Sequence, residues 1–137
     1  MNLSESLHRI LQQDQTMADL FYLVFLDRYP EVRKHFRKVD LKRQAVLLTT
    51  ILMVLERHQA HTYPVTTDFL RQLGTKHYLW GIAPDLFPKF RSALLLTLER
   101  FHANDWTPGL ALQWSECLDR AIEVMLSGYP KPDAPRQ

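Results

Sequence analysis

The segment FLRQLGTKHYLWGIAPDLFPKFRSALLLTLERF, residues 69–101, decides the fold. Its first helical pattern ends at Lys76-His77, the turn Gly81-Ile82-Ala83-Pro84 follows, and a longer apolar helix returns. A neutral imidazole is the commonest metal ligand in proteins. Because His77 lies late in an apolar helix, just before a break, we expect it to face whatever the returning helix encloses. This arrangement suits a pocket for a flat cofactor with a metal at its centre.

The composition bounds the class of protein. A chain of 137 residues is of single-domain size, and its 46% apolar content supplies a core. The net charge of +2 gives no strong electrostatic case for nucleic acid as a partner. Cys117 stands alone, which excludes an internal disulfide or a four-cysteine zinc site and fits a reducing compartment.

Two further patterns concern location. The N-terminal residues 1–10 do not read as a signal peptide, because no basic segment precedes an apolar one. The longest apolar runs, such as residues 45–55, are too short to span a bilayer. We therefore expect a cytoplasmic protein with no membrane partner.

Helical periodicity covers the N-terminal half. It predicts a short helix over residues 3–11, then a second helix capped by Asp14 or Thr16 and stopped by Pro30. Asp40 is a good N-cap for the third helix, whose apolar residues recur three and four apart.

The C-terminal half continues the pattern. Residues 58–66 are polar and predict a loop, after which Thr67 is the expected cap of the helix that carries His77. Pro84 is expected to open the next helix, and Thr107-Pro108 the last one. No run alternates cleanly between turn signals, so we expect an all-α protein without a sheet.

One domain is expected over residues 1–129. The remaining residues, 130–137, contain three prolines and predict a disordered tail.

These segments together resemble a known family. From about Leu20 to Tyr129 the chain resembles bacterial single-domain globins and is similar to the haem domain of flavohaemoglobins. The resemblance implies a globin-like sandwich of about six to seven helices around non-covalently bound haem b, iron protoporphyrin IX. Its pieces, in order, are Phe21-Tyr22, Tyr29-Pro30-Glu31-Val32, Phe36, Asp40 to Gln44, Leu73 to His77, Gly81-Ile82, Phe87 to Phe90, Ala93 to Leu95 and Trp114.

The resemblance makes His77 the proximal iron ligand. Such a ligand needs its other ring nitrogen held by a neighbouring acceptor, and the carbonyl of Leu73, one helical turn earlier, is the candidate. Judged by spacing alone, a histidine in this position is more often an ordinary core or surface residue, and the surrounding motif favours the ligand.

On the opposite, distal side the resemblance places Tyr22 and Gln44 as hydrogen-bond donors to a bound gas, with Leu48 as the apolar residue over the iron. Gln44 and Leu48 are four residues apart, which puts them on one helix face. The patterns alone equally fit a half-buried tyrosine with its hydroxyl in solvent and a boundary glutamine.

The remaining cofactor contacts are apolar, and they equally describe a plain hydrophobic core. Phe36 is expected to pack flat against the porphyrin. Lys76, Arg43 and His61 are candidates to pair with haem propionates, although each also fits a solvated surface position. The other expected lining residues are Leu73, Ile82, Phe87, Phe90 and Leu94.

The chain departs from the family behind the proximal histidine. Flavohaemoglobins and their close relatives usually carry a tyrosine and a glutamate there, which strengthen the anionic character of the imidazole. This sequence has Phe87 in place of the tyrosine, and the position of the glutamate falls near Tyr129. We therefore expect a more neutral proximal histidine.

The resemblance implies reversible binding of dioxygen, or another diatomic gas, at a five-coordinate haem. Two alternatives stay open: nitric oxide dioxygenation with a separate reductase as redox partner, and a gas sensor or interaction module. A peroxidase-like side activity is a further alternative. The expected oligomeric state is a monomer or a weak homodimer.

Overall fold

The structure, a computed structural model, describes residues 1–131. Within this range it contains no strand, and two short 3-10 helices, Pro30–His35 and Ala103–Asp105, accompany the α-helices. The expected all-α class is confirmed. Most of the tail expected over residues 130–137 lies outside the described residues. The α-helices are α1 (Leu3–Gln12), α2 (Thr16–Arg28), α3 (Leu41–Ala60), α4 (Pro64–Leu79), α5 (Leu86–His102) and α6 (Pro108–Leu126).

Side-chain caps fix three helix starts. The Asn2 side chain accepts from the backbone N–H of Glu5, whose carboxylate returns a bond to the Asn2 N–H. The Asp40 side chain accepts from the N–H of Lys42, and the Thr107 hydroxyl caps α6 in the same way. The caps predicted at Asp40 and Thr107 are therefore confirmed.

The starts of α2 and α4 differ from the prediction. No side chain caps α2, because Gln15 precedes it and Asp14 is in the left-handed region with φ 52°. Helix α4 begins at Pro64 rather than after Thr67. A proline lacks the N–H that a first helical turn leaves unpaired, so Pro64 starts a helix where the polar composition predicted a loop.

The start of α5 is also later than predicted. Leu86 is its first residue, and Pro84 lies in the preceding turn. There the carbonyls of Ala83 and Pro84 accept from the N–H groups of Leu86 and Phe87 at 3.1 and 3.2 Å. The proline therefore shapes the turn that separates α4 from α5.

The helices pack in crossed pairs around one core. Helix α2 packs on α3 and α5, α6 packs on α3, α4 and α5, and α1 lies across α3 and α6. Helix α3 also contacts α4. Within residues 1–131, no helix is both long enough and apolar enough to cross a bilayer. The largest fully buried side chains of this core are Trp114, Phe21, Ile10, Met17, Leu52, Leu70, Leu94, Leu98, Leu110 and Leu118.

Helix α4 is held unusually close to the end of α6. Gly74 lies against the backbone of Met125, and a Cβ at Gly74 would overlap the Met125 carbonyl. Gly128 meets the backbone of α4 in the same way, and its carbonyl accepts from the Thr75 hydroxyl at 2.9 Å. These two glycines allow the close approach that positions α4, and therefore His77.

Candidate functional site

His77 is oriented by a hydrogen bond within its own helix. Its Nδ1 lies 2.7 Å from the carbonyl of Leu73, so Nδ1 is the donor and carries the proton. The predicted acceptor is therefore confirmed. The ring is half-buried, and burial lowers the pKa of His77 although the bond to Leu73 opposes that shift. A neutral imidazole results, with the lone pair of Nε2 available to a metal.

Two aromatic rings flank this imidazole. The ring of Trp80 lies 5.4 Å from that of His77 at an interplanar angle of 52°, and the ring of Phe87 lies 6.0 Å away at 46°. Trp80 directly follows α4, where its N–H bonds the carbonyl of Lys76. Gly81 then reverses the chain with φ 79°, a left-handed conformation that favours glycine. Phe87 was among the predicted lining residues, whereas the residue pattern gave no signal for Trp80.

A buried phenol and an amide meet on α2 and α3. Tyr22 is only 6% exposed, and burial raises the pKa of its hydroxyl to about 12, while an interaction with the Gln44 side chain offsets part of the rise. The phenol therefore stays protonated at physiological pH and remains a donor. Gln44 is half-buried, and Leu48 lies one turn further along the same face of α3. The structure thus brings the two predicted distal donors together.

Phe36 belongs to the same group. Its ring packs edge-on against that of Tyr22, with centroids 5.6 Å apart. It also lies 6.3 Å from the ring of Phe25, which contacts Phe90 in turn. Phe36 therefore extends the wall that contains Tyr22, and its ring stays half-buried.

The predicted lining residues separate into two groups. Leu48, Phe87 and Leu94 are buried by the protein itself, so they belong to the core whatever else they contact. The members that are only partly covered by protein are Phe36, Leu73, Ile82 and Phe90. Partly covered apolar side chains are what a flat apolar cofactor requires as contacts.

Helix α4 presents further uncovered apolar surface at Phe69, which the predicted lining did not include although its spacing puts it on the face of His77. Phe69, Leu73 and His77 are four residues apart and therefore share one face, and Phe69 is 43% exposed. On α3, Leu47 precedes Leu48 and is 48% exposed. The i, i+4 spacing of Phe69 to His77 was the available signal. An oriented imidazole on an uncovered apolar face fits a haem, since a porphyrin supplies the other ligands of its metal.

The polar residues predicted to pair with haem propionates are not fixed by contacts as the apolar lining is. Lys76, Arg43 and His61 are all exposed. The only aromatic neighbour of His61 in the described part of the chain is Tyr63, at 5.6 Å. Exposure keeps all three side chains solvated, and the structure therefore does not favour one of them over the others.

The region behind His77 contains aromatic rings and backbone groups. The hydroxyl of Tyr129 donates to the carbonyl of Ile82 at 2.8 Å, and its ring packs edge-on against Phe87 at 5.9 Å. The N–H of Ile82 donates to the carbonyl of His77 at 3.0 Å. In residues 1–131 the recorded partner of the His77 ring is a neutral carbonyl, so no carboxylate strengthens its basicity there.

Comparisons with known proteins agree with this geometry. A family model described as Globin matches residues 4–125. Among curated proteins, the chain is similar to the anaerobic nitrite reductase HBII of Casuarina glauca, with 26% identity over 100 residues. The aligned part is 73% of this chain and 58% of that relative, so the chain spans less than two thirds of the relative's length.

Proposed function

The chain belongs to the globin family, and on that premise we propose that it binds haem b without a covalent link and binds dioxygen reversibly. The observation that carries the proposal is the hydrogen bond between His77 Nδ1 and the Leu73 carbonyl. It fixes the tautomer and directs an unprotonated Nε2 away from the helix. Bound haem supplies an iron with one coordination position for a diatomic gas.

The predicted lining residues are proposed to hold haem through three kinds of contact. Phe36, Leu73, Ile82 and Phe90 offer the partly covered apolar surface, and burying that surface favours binding by about 25 cal/mol per Å². Lys76 is the proposed partner of a propionate, since it lies one residue before His77 and is exposed. Leu48, Phe87 and Leu94 form the core against which these residues pack.

The distal pair gives the site its preference for dioxygen. A Tyr22 hydroxyl that keeps its proton donates to a ligand with partial negative charge, and Gln44 beside it supplies a second N–H donor. Such donors slow dioxygen release and favour dioxygen over the less polar carbon monoxide. On the proximal side, a neutral acceptor for His77 favours reversible binding over chemistry that needs an anionic imidazole.

Nitrite reduction is the second candidate, because the relative in Casuarina glauca is named as an anaerobic nitrite reductase. That reaction consumes one electron and two protons as nitrite becomes nitric oxide and water. Tyr22, with a pKa of about 12, is a poor proton source, and the Gln44 amide is not an acid. Dioxygen binding therefore ranks first. Nitrite reduction and nitric oxide dioxygenation both require a source of electrons to return the iron to its ferrous form.

Absorption spectra of the purified protein, reconstituted with haemin, test the proposal. We expect stoichiometric uptake, a five-coordinate ferrous form, and a reversible change under dioxygen. The variant His77→Gly should lose the ferrous histidine-bound spectrum and regain it when imidazole is added. His8→Gly, at an exposed position of α1, is the control and should take up haemin with the spectrum of the unmodified chain. A protein that takes up no haemin, or a His77→Gly variant with unchanged bands, would refute it.

A further inference from the structure

Trp80 has an unusual environment for a tryptophan. It is 63% exposed, and within residues 1–131 its recorded aromatic contact is the imidazole of His77. Large apolar side chains normally contribute to stability by burial, and this indole buries little of its surface. The position therefore places the indole beside the His77 ring at a small gain from burial.

The bond to Leu73 alone does not fix the plane of the imidazole. A single hydrogen bond at Nδ1 still lets the ring rock about its Cβ–Cγ bond, over the range of angles that the hydrogen bond tolerates. Trp80 and Phe87 stand against the ring at 5.4 and 6.0 Å, from the end of α4 and from α5. Two aromatic neighbours restrict the rotation that the hydrogen bond leaves free.

Phe87 and Trp80 are held in place by different interactions. Phe87 is 5% exposed and packs against Tyr129, so the core fixes it. Trp80 is fixed by its backbone, since its N–H bonds the carbonyl of Lys76 and Gly81 reverses the chain after it. The indole is thus carried by the same helix as the ligand, and it moves with that ligand.

We infer that Trp80 is a positioning residue for the metal ligand: its indole, together with the ring of Phe87, holds the plane of the His77 imidazole. The inference rests on the proposed function, since it assigns to Trp80 a role at the same haem. Removal of the indole frees the ring to turn and lets water reach it. Groups that orient a metal-bound histidine commonly change metal affinity about 10- to 100-fold.

Three variants test the inference. Trp80→Ala removes the indole, Trp80→Phe keeps an aromatic ring, and Leu79→Ala is the matched control. Leu79 is the adjacent residue, and at 72% exposure it buries little of its surface, as Trp80 does. Carbon-13 relaxation of the labelled histidine ring is measured first, without haemin. The iron–histidine stretching band and the rate of haem loss to an apomyoglobin acceptor are then measured in the reconstituted proteins.

We expect Trp80→Ala to lower the order of the His77 ring, to shift and broaden the iron–histidine band, and to speed haem loss about tenfold. Trp80→Phe should restore most of each property, and Leu79→Ala should match the unmodified chain. Equal ring order and an equal band in Trp80→Ala would overturn the inference, as would the same changes in Leu79→Ala. Failure of haemin uptake by the unmodified chain would overturn the proposed function alone, because ring order is measured before haemin is added.

Discussion

At the scale of single residues, the chemistry depends on two protonation states that burial sets. Burial raises the pKa of Tyr22, which keeps its hydroxyl a donor, and lowers the pKa of His77, which keeps its imidazole neutral. Both shifts favour the uncharged form, as expected for groups removed from water. The proposed site therefore combines a neutral phenol, Tyr22, with a neutral imidazole, His77.

The variant Tyr22→Phe isolates the distal donor. It removes one hydroxyl and keeps the ring that packs against Phe36. Loss of a hydrogen bond to a partly charged acceptor costs roughly 1.5–3 kcal/mol, so dioxygen should dissociate about 10- to 100-fold faster. Stopped-flow displacement by carbon monoxide measures the rate, with Tyr63→Phe at an exposed position as control. Equal rates in Tyr22→Phe and the unmodified chain would place Tyr22 outside the ligand's reach.

Sequence reasoning reached some of these residues and not others. The acceptor of His77 follows from helix geometry alone, because Leu73 is one turn earlier. The meeting of Tyr22 with Gln44 depends on how α2 crosses α3, which the residue pattern does not specify. Trp80 carried no periodic signal, since it lies just beyond the end of α4.

At the scale of helices, the glycine contacts place the proximal helix. Hydrophobic periodicity predicted all six α-helices, but it placed the starts of several of them at the wrong residue. Proline caused two of these errors. Pro64 begins a helix and Pro84 precedes one, and the composition around a proline does not show which of the two positions it takes. The close approach at Gly74 was likewise hidden, since a glycine inside a helical pattern gives no indication of what lies against it.

The variant Gly74→Ala tests the crossing of α4 and α6. Its new Cβ would overlap the Met125 carbonyl, so the helices must separate, and we expect a loss of about 1–3 kcal/mol in the free energy of unfolding. Haem loss should also become faster because His77 moves with α4. Gly109→Ala on α6 is the matched control: its nearest neighbour is the Thr107 hydroxyl at 3.9 Å.

Urea unfolding followed by circular dichroism measures both glycine variants. Gly109→Ala should be neutral or stabilising by up to about 1 kcal/mol, because alanine reduces the freedom of the unfolded chain. If Gly74→Ala had the same free energy of unfolding as Gly109→Ala, then α4 and α6 would not be in the close contact described.

At the scale of the whole molecule, buried histidines connect stability to pH. His102 is 3% exposed, and its Nε2 lies 2.6 Å from the Ser6 hydroxyl, which accepts from the Trp114 indole at 3.0 Å. The Ser6 hydroxyl therefore links the His102 ring to the Trp114 indole, while within residues 1–131 the other ring nitrogen of His102, Nδ1, is buried without a hydrogen-bond partner. His58 is also 3% exposed, and in the same range its Nε2 has no hydrogen-bond partner. The hydrogen-bonded group of Ser6, His102 and Trp114 joins α1, α5 and α6.

The sign of the pH dependence follows from these positions. Burial lowers the pKa of both His58 and His102, and the charges of Arg120 and Arg9 lower them further. The unfolded chain therefore binds protons more readily, so stability is fully present above the ordinary histidine pKa of about 6.5 and is lost as the pH falls below it. Each such histidine contributes a slope of up to about 1.4 kcal/mol per pH unit.

His102→Gln should reduce this acid sensitivity. The amide does not titrate, so the free energy of unfolding should fall less between pH 6.5 and 4.5, although the variant is less stable at pH 7.5. Urea titrations at several pH values measure the slope, with His8→Gln at an exposed position as control. An unchanged slope in His102→Gln would show that the imidazole takes up its proton without loss of stability.

Two separate backbone contacts join α4 to the end of α6 and to the turn after it. Gly74 lies against Met125 at the end of α6, and Gly128, in the turn that follows, lies against the backbone of α4. The hydroxyl of Tyr129, bonded to the carbonyl of Ile82 beyond the end of α4, adds a third link. Because these links lie before and after His77 along the chain, a displacement of α4 would carry residues 125–129 with it.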